Sequence, residues 1–175
     1  MTTKTPTIYL AGFDVFRRDA IAHGEQVQSW CREHGLEGLY PLDNAAPPEL
    51  RGRALAQWIC QANLALIERA DAVMANLNPF RGHEPDSGTV FEVGYACALG
   101  KPVWVYTDEA RPLVEQVKAG RDGDGQPLDA QGYTVEDFGL NLNLMIACTT
   151  QVVVGSPQDC LKHVAAGLQS AARSA

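Results

Sequence analysis

The stretch DAVMANLNPFRGHEPDSGTVFEVGYACALGKPVWVY, residues 71–106, decides the fold. Residues 71–77 form a short apolar run of strand length, and residues 102–106 form another, rich in valine and aromatic side chains. Between them lie a loop bearing proline and glycine, residues 78–87, and a segment from Gly88 whose residues are nearly all small or apolar, closed by Gly100 as a helix stop. A strand, a helix and a second strand so spaced make a βαβ crossover, which pairs the two strands in parallel.

The same alternation extends outward in both directions. Upstream are a buried strand at residues 7–12 that stops at glycine, a helix at 19–33 stopped by Gly35, and a short strand at 36–40. A proline-bearing loop at 41–48 follows, then a helix at 49–70 with Leu55, Ile59, Ala62, Leu66 and Ile67 on one face. Downstream, residues 107–133 are rich in glycine, aspartate and proline and read as a long excursion with a short helix at 113–119. A helix at 140–147, a strand at 151–154 and a closing helix from 157 to about 172 complete the pattern. Five short strands alternating with helices predict one α/β domain over residues 1–175 with a parallel sheet, its first residues, up to about the seventh, expected to fray. Ligands of such open sheets bind beyond the carboxyl ends of the strands. Three loops are therefore singled out: 12–16, 78–87 and the one after Tyr106.

Composition narrows the ligand. A formal net charge of −7 with no basic run argues against nucleic acid as a partner and favours a small polar ligand. The five cysteines are odd in number and scattered among apolar residues, which predicts reduced core thiols in a cytoplasmic protein. Neither a membrane-spanning run nor a signal-peptide pattern is present, so no membrane association is expected. His23, His34, His83 and His163 are isolated, giving no metal-ligand spacing, and no metal is expected. Trp30, Trp58 and Trp104 are explained by packing.

Chemistry concentrates in the opening stretch. Gly88 opens the helix and Thr89 can cap it, so Glu92 falls near the first turn, where the helix dipole favours an ionised carboxylate at the mouth of the ligand crevice. The plainer reading, an acid that complements the dipole and points to water, conflicts with the apolar character of the helix, which predicts burial all round. Asp86 alone is an ordinary turn or capping residue; paired with Glu92 it makes the two-carboxylate arrangement of glycosyl transfer. In the first loop, Gly12 permits close approach, Phe13 or Phe16 offers a stacking face for a base, and Asp14 can accept from base N–H groups, while one of the two rings is expected to plug the sheet edge instead.

Several segments, in order, resemble the nucleoside 2-deoxyribosyltransferases: Tyr9-Leu10-Ala11-Gly12, Pro41-Leu42-Asp43-Asn44, Asn78-Pro79-Phe80-Arg81-Gly82, the run from Asp86 to Glu92 with Gly100-Lys101-Pro102, and Asn141-Leu142-Asn143-Leu144-Met145. The resemblance implies a flavodoxin-like three-layer sandwich with sheet order 2-1-3-4-5. It also implies exchange of nucleobases on 2′-deoxynucleosides through a covalent deoxyribosyl–glutamate, with no cofactor. Glu92 matches the nucleophile, Tyr9 the tyrosine that holds it, and Asp86 an acceptor for a deoxyribose hydroxyl whose charge disfavours 5′-phosphates. Gly12, Phe13, Asp14, Phe16, Asn63, Gly88, Asn143 and Met145 are the expected substrate-binding residues, with deoxynucleosides and free nucleobases as ligands. Asn143 matches a residue that reaches a neighbouring subunit's sugar, which implies a homodimer or larger homo-oligomer; its plainer reading is a helix cap. One position departs. Some members carry an aspartate near the base where this chain has Asn63, and an amide cannot supply a proton to the leaving base.

Three alternatives stay open from the residues alone. An N-glycoside hydrolase on the same fold would resolve the intermediate with water, and relatives acting on 5′-monophosphates carry small hydroxyl residues where this chain has Asp86 and Asn143. A phosphoribohydrolase shares only the short Gly88-Thr89 to Glu92 likeness. A non-catalytic nucleoside-binding module would keep the fold without turnover.

Overall fold

Alternation along the first strand, β1 (Thr7–Gly12), settles which face of the sheet reaches the site. In the computed structural model, which describes residues 4–174, Ile8 and Leu10 pack to one side with Val27, Cys31, Leu161 and Val164. Tyr9 and Ala11 pack to the other with Leu66, Ile67, Val93 and Ala96. A strand buried on both faces needs apolar residues throughout, and every residue of β1 is buried.

The remaining elements follow in chain order. They are α1 (Ala20–Glu33), β2 (Glu37–Leu39), α2 (Gly52–Arg69), β3 (Ala72–Asn76), α3 (Ser87–Ala98) and β4 (Val103–Thr107), then α4 (Leu113–Val117), β5 (Gly120–Arg121), β6 (Pro127–Leu128), α5 (Leu144–Ala147), β7 (Gln151–Val154) and α6 (Pro157–Ser174). The main sheet is parallel with order β2-β1-β3-β4-β7, the predicted 2-1-3-4-5 once the small β5–β6 hairpin is set aside. One helical layer holds α1 and α6, the other α2 and α3, which makes the three-layer sandwich. Chain direction around the sheet reverses at β1 and β3, which pair from Ile8↔Ala72 to Gly12↔Asn76 and bring their carboxyl ends level. The crevice of such a sheet opens there.

Boundaries differ from expectation where local hydrogen bonds intervene. The helix α3 starts at Ser87 rather than Gly88, because Asp86, not Thr89, is the cap: Asp86 Oδ2 accepts from the Thr89 backbone N–H at 2.9 Å and from Thr89 Oγ1 at 3.0 Å. The helix predicted at 140–147 is reduced to α5 because the Asn143 side chain caps it, accepting from the Met145 N–H at 3.0 Å. Within the long excursion, Asp122 Oδ1 accepts from the N–H groups of Asp124 and Gln126 and turns the β5–β6 hairpin, which the glycine and aspartate content marked only as loop. The expected fraying at the start of the chain falls partly outside the described residues; from Thr7 the chain is already in the sheet. Burial of α3 is also one-sided. Val93 and Ala96 are buried, yet Phe91 is 60% exposed and Leu99 45%. Of the five cysteines only Cys31 and Cys160 are core thiols, whereas Cys60 and Cys148 are exposed; all five are free.

Candidate active site

A cavity of about 500 Å³ opens at the carboxyl ends of β1 and β3, beside the start of α3. Gly12 lines it, and Asn63, Asp86, Gly88, Thr89 and Glu92 form its polar end. Gly12 is needed for a steric reason: a Cβ there would sit 2.9 Å from the Cβ of Asn76 on the paired strand.

Glu92 is placed by two elements. Tyr9, fully buried in β1, donates its hydroxyl to Glu92 Oε1 at 2.6 Å, and Asn63 Nδ2 on α2 reaches the same oxygen at 3.4 Å. Glu92 is the sixth residue of α3, in its second turn, and the first turn contains no acid. This corrects the expectation that the helix dipole keeps Glu92 ionised, since that effect fades beyond the first turn. Burial dominates instead and pushes the Glu92 pKa up to about 7; hydrogen bonds from Tyr9 and Asn63 oppose the rise, and the Asp86 charge adds to it. Tyr9 is pushed well above the ordinary phenol range by burial and by the facing carboxylate, so its hydroxyl stays a donor. Only the ionised carboxylate can attack an electrophilic carbon, so the nucleophilic form gains as pH rises through about 7.

Asp86 serves the helix with one oxygen and faces the cavity. Its Oδ1 has no donor among the described residues. Asn63 Oδ1 is buried and has no hydrogen-bond partner among the described residues. No group of three or more histidine, cysteine, aspartate or glutamate side chains among the described residues is arranged to hold a metal. No helix there is long and apolar enough to cross a membrane.

Four expected binding residues do not join this cluster. Phe13 and Phe16 both stack on Phe80, at 4.8 and 5.5 Å between centroids, and of the two only Phe16, 58% exposed, lines the cavity. Asp14 turns to the opposite face of the sheet, where Oδ2 accepts from Asn76 Nδ2 at 2.8 Å and Oδ1 lies 3.3 Å from His23 Nε2. It anchors the loop and is not available to a base in the cavity. Asn143 donates to Glu136 Oε1 at 2.6 Å, and Met145 is 66% exposed; both lie outside the cavity of their own chain.

The family model for nucleoside 2-deoxyribosyltransferase matches residues 8–145, a span that holds all of these side chains. The chain belongs to the nucleoside 2-deoxyribosyltransferase family. A 2-desoxiribosyltransferase from Leishmania mexicana superposes with a TM-score of 0.75 at 34% identity, covering 92% of this chain and 97% of that one. A conserved protein from Enterococcus faecalis superposes with a TM-score of 0.61 at 25% identity over 92% and 98% of the two chains. An uncharacterized protein of Schizosaccharomyces pombe is 31% identical over 159 residues, 81% of this chain and 75% of its own.

The α2 wall at the apolar end of the cavity carries none of the motifs that mark the polar end. Leu55, Trp58, Ile59 and Ala62 of α2 form one wall, with Leu42 and Asn44 from the loop after β2. The apolar stripe on α2 was visible, but it divides: Leu66 and Ile67 enter the core, while the upper half faces the ligand space. Periodicity reports a face, not what the face covers.

Proposed function

We propose that this protein exchanges nucleobases on 2′-deoxynucleosides through a deoxyribosyl–Glu92 intermediate. The observation that carries the proposal is the half-buried Glu92 carboxylate, held at 2.6 Å by the Tyr9 hydroxyl and lining a cavity whose other end is walled mainly by apolar side chains. An Oε of Glu92 attacks C1′, the C1′–N bond breaks, and its electron pair leaves with the base, which takes a proton from water because Asn63 has none to give. A second base then attacks C1′ with a ring nitrogen. The C1′–Oε bond breaks, Glu92 recovers its carboxylate, and the incoming base releases its N–H proton to solvent. The free Oδ1 of Asp86 accepts from a deoxyribose hydroxyl, and its charge disfavours 5′-phosphorylated substrates.

The active unit is a homodimer or larger assembly in which Asn143 completes a neighbour's site. In support of this reading, Asn143 and Met145 lie outside their own cavity, and Phe91, Leu99 and Met145 leave apolar surface exposed. The compartment we propose is the cytoplasm, in keeping with five unpaired cysteines.

The test is incubation with 2′-deoxyinosine or thymidine plus free adenine or cytosine, with bases and nucleosides separated by chromatography. A new deoxynucleoside is expected, together with its loss in Glu92→Gln. Release of free base without exchange would point to a hydrolase, and no reaction with any deoxynucleoside would end the catalytic reading.

A further inference from the structure

The rim of the cavity carries an aromatic stack that the mechanism above does not use. Phe13 and Phe16, in the single helical turn after β1, lie nearly parallel to Phe80 from the loop after β3, at 4.8 and 5.5 Å between centroids with interplanar angles of 12° and 10°. The Arg81 guanidinium lies 4.6 Å from the Phe80 centroid and 5.4 Å from that of Phe16. Only Phe16 of the three rings lines the cavity.

Two features of Arg81 call for a reason. Its φ is 56°, the only positive value at a non-glycine among the described residues. The left-handed region is unfavourable for a side chain with a Cβ, and such strain gathers where a ligand is held. Arg81 also has no hydrogen bond or carboxylate partner among the described residues, in a chain with 21 acidic side chains. Although the residue is exposed, its guanidinium lies over the Phe80 and Phe16 ring faces, where the aromatic quadrupole attracts a cation. The Phe80 N–H donates to the Glu84 carbonyl at 2.9 Å and closes the loop that presents both residues.

We propose that Arg81 is a positioning residue for the second substrate. Working through Phe80, it holds the Phe16 ring as a fixed stacking platform for the incoming base. It thereby sets the partition of the glycosyl–enzyme between base transfer and hydrolysis. This rests on the base-exchange reading. In either branch the C1′–Oε bond breaks and Glu92 leaves as a carboxylate. The new C1′ bond goes to a base nitrogen, which loses its proton, or to the oxygen of water, which loses one of its two. Water needs no platform, so loosening the ring slows only the first branch.

Steady-state exchange between 2′-deoxyinosine and adenine, with free deoxyribose measured alongside, tests the proposal. Arg81→Ala should raise KM for adenine about twofold to fivefold, the range an exposed cation–π contact supports. It should also increase the share of deoxyribose released to water, with the loss in kcat smaller than the rise in KM. Arg81→Gly, which relieves the backbone strain, should show the same defect, and Arg81→Lys should recover part of the adenine affinity. If wild-type exchange proceeds and Arg81→Ala changes neither adenine KM nor the free-sugar fraction, the proposal falls while the base-exchange reading stands. The proposal falls equally if Arg81→Gly restores wild-type values, since strain and not the guanidinium would then be at work. If the wild type exchanges no base, it is the underlying reading that fails.

Discussion

Replacing Tyr9 with phenylalanine should move the pH dependence of the reaction in a known direction and by a calculable amount. Burial lifts the Glu92 pKa to about 7, and the Tyr9 hydroxyl opposes the rise by donating to the ionised form. Without it, Oε1 keeps only the 3.4 Å contact from Asn63 Nδ2. A hydrogen bond to an ionised acceptor contributes roughly 1.5–3 kcal/mol, and ~1.4 kcal/mol corresponds to one pH unit, so the Glu92 pKa in Tyr9→Phe lies roughly one to two pH units higher. Attack requires the carboxylate, so wild-type kcat/KM should rise with pH through about 7 and level off above it. The variant's rise should be displaced to higher pH, with most of its deficit recovered on the alkaline side. The assay is entry of labelled adenine into 2′-deoxyadenosine at low substrate, because neither ring titrates near neutrality. A rate depressed by the same factor at every pH, with an unmoved acid limb, would refute the reasoning and leave Tyr9 a purely geometric role.

Four further outcomes are expected. Glu92→Gln should be the more stable protein above neutrality: the folded-state pKa is raised from 4.5 to about 7, so wild-type stability is lost as pH rises through that window. Urea unfolding should find the two alike near the lower limit and differing by up to about 3 kcal/mol at the alkaline end. Asp86→Asn keeps a capping acceptor and removes the charge, so the kcat/KM preference for a deoxynucleoside over its 5′-monophosphate should narrow; an unchanged ratio would show that the charge plays no part. Mixing Glu92→Gln with Asn143→Ala, each inactive, should restore about a quarter of wild-type activity by random pairing of protomers if sites are shared across a two-fold axis, whereas no recovery argues for self-contained sites. Gly24→Ala raises helix propensity, yet a Cβ there would overlap the ring of buried Tyr40, so thermal unfolding should show a loss of roughly 1–3 kcal/mol.

How much of this was legible in the sequence depended on whether a residue's neighbours were local. Strand runs and helix stripes are short-range patterns, and they led to the parallel sheet, with the family resemblance supplying its order. The alternation that sends Tyr9 toward α2 and α3 is likewise implicit in β1, but the partner, Glu92, lies 83 residues away, and only the resemblance joined them. Asp14 shows the limit from the other side. Its residue type suits base recognition, and nothing in the sequence near it reveals that Asn76, 62 residues on, takes its carboxylate to the opposite face. The helix dipole argument for Glu92 missed by one turn. Moving the cap from Thr89 to Asp86 carries Glu92 into the second turn, where burial and not the dipole governs its charge. The stack of Phe13, Phe16, Phe80 and Arg81 joins two loops that only the sheet brings together.

Because one side chain at position 86 both starts α3 and borders the polar end of the cavity, the variation open to it is limited to the helix-capping alphabet. Aspartate, asparagine, serine and threonine all satisfy a first-turn N–H, whereas alanine at a cap costs about 1 kcal/mol. Within that alphabet the charge and reach of the residue change freely while the fold does not. On the role proposed for Asp86, single substitutions at this spot carry a lineage from charged to neutral acceptors, and so from nucleosides toward phosphorylated substrates, without loss of the cap. The capping requirement, which looks like a constraint on the helix, acts as a filter that keeps every permitted step capable of hydrogen bonding to a ligand at the polar end of the cavity.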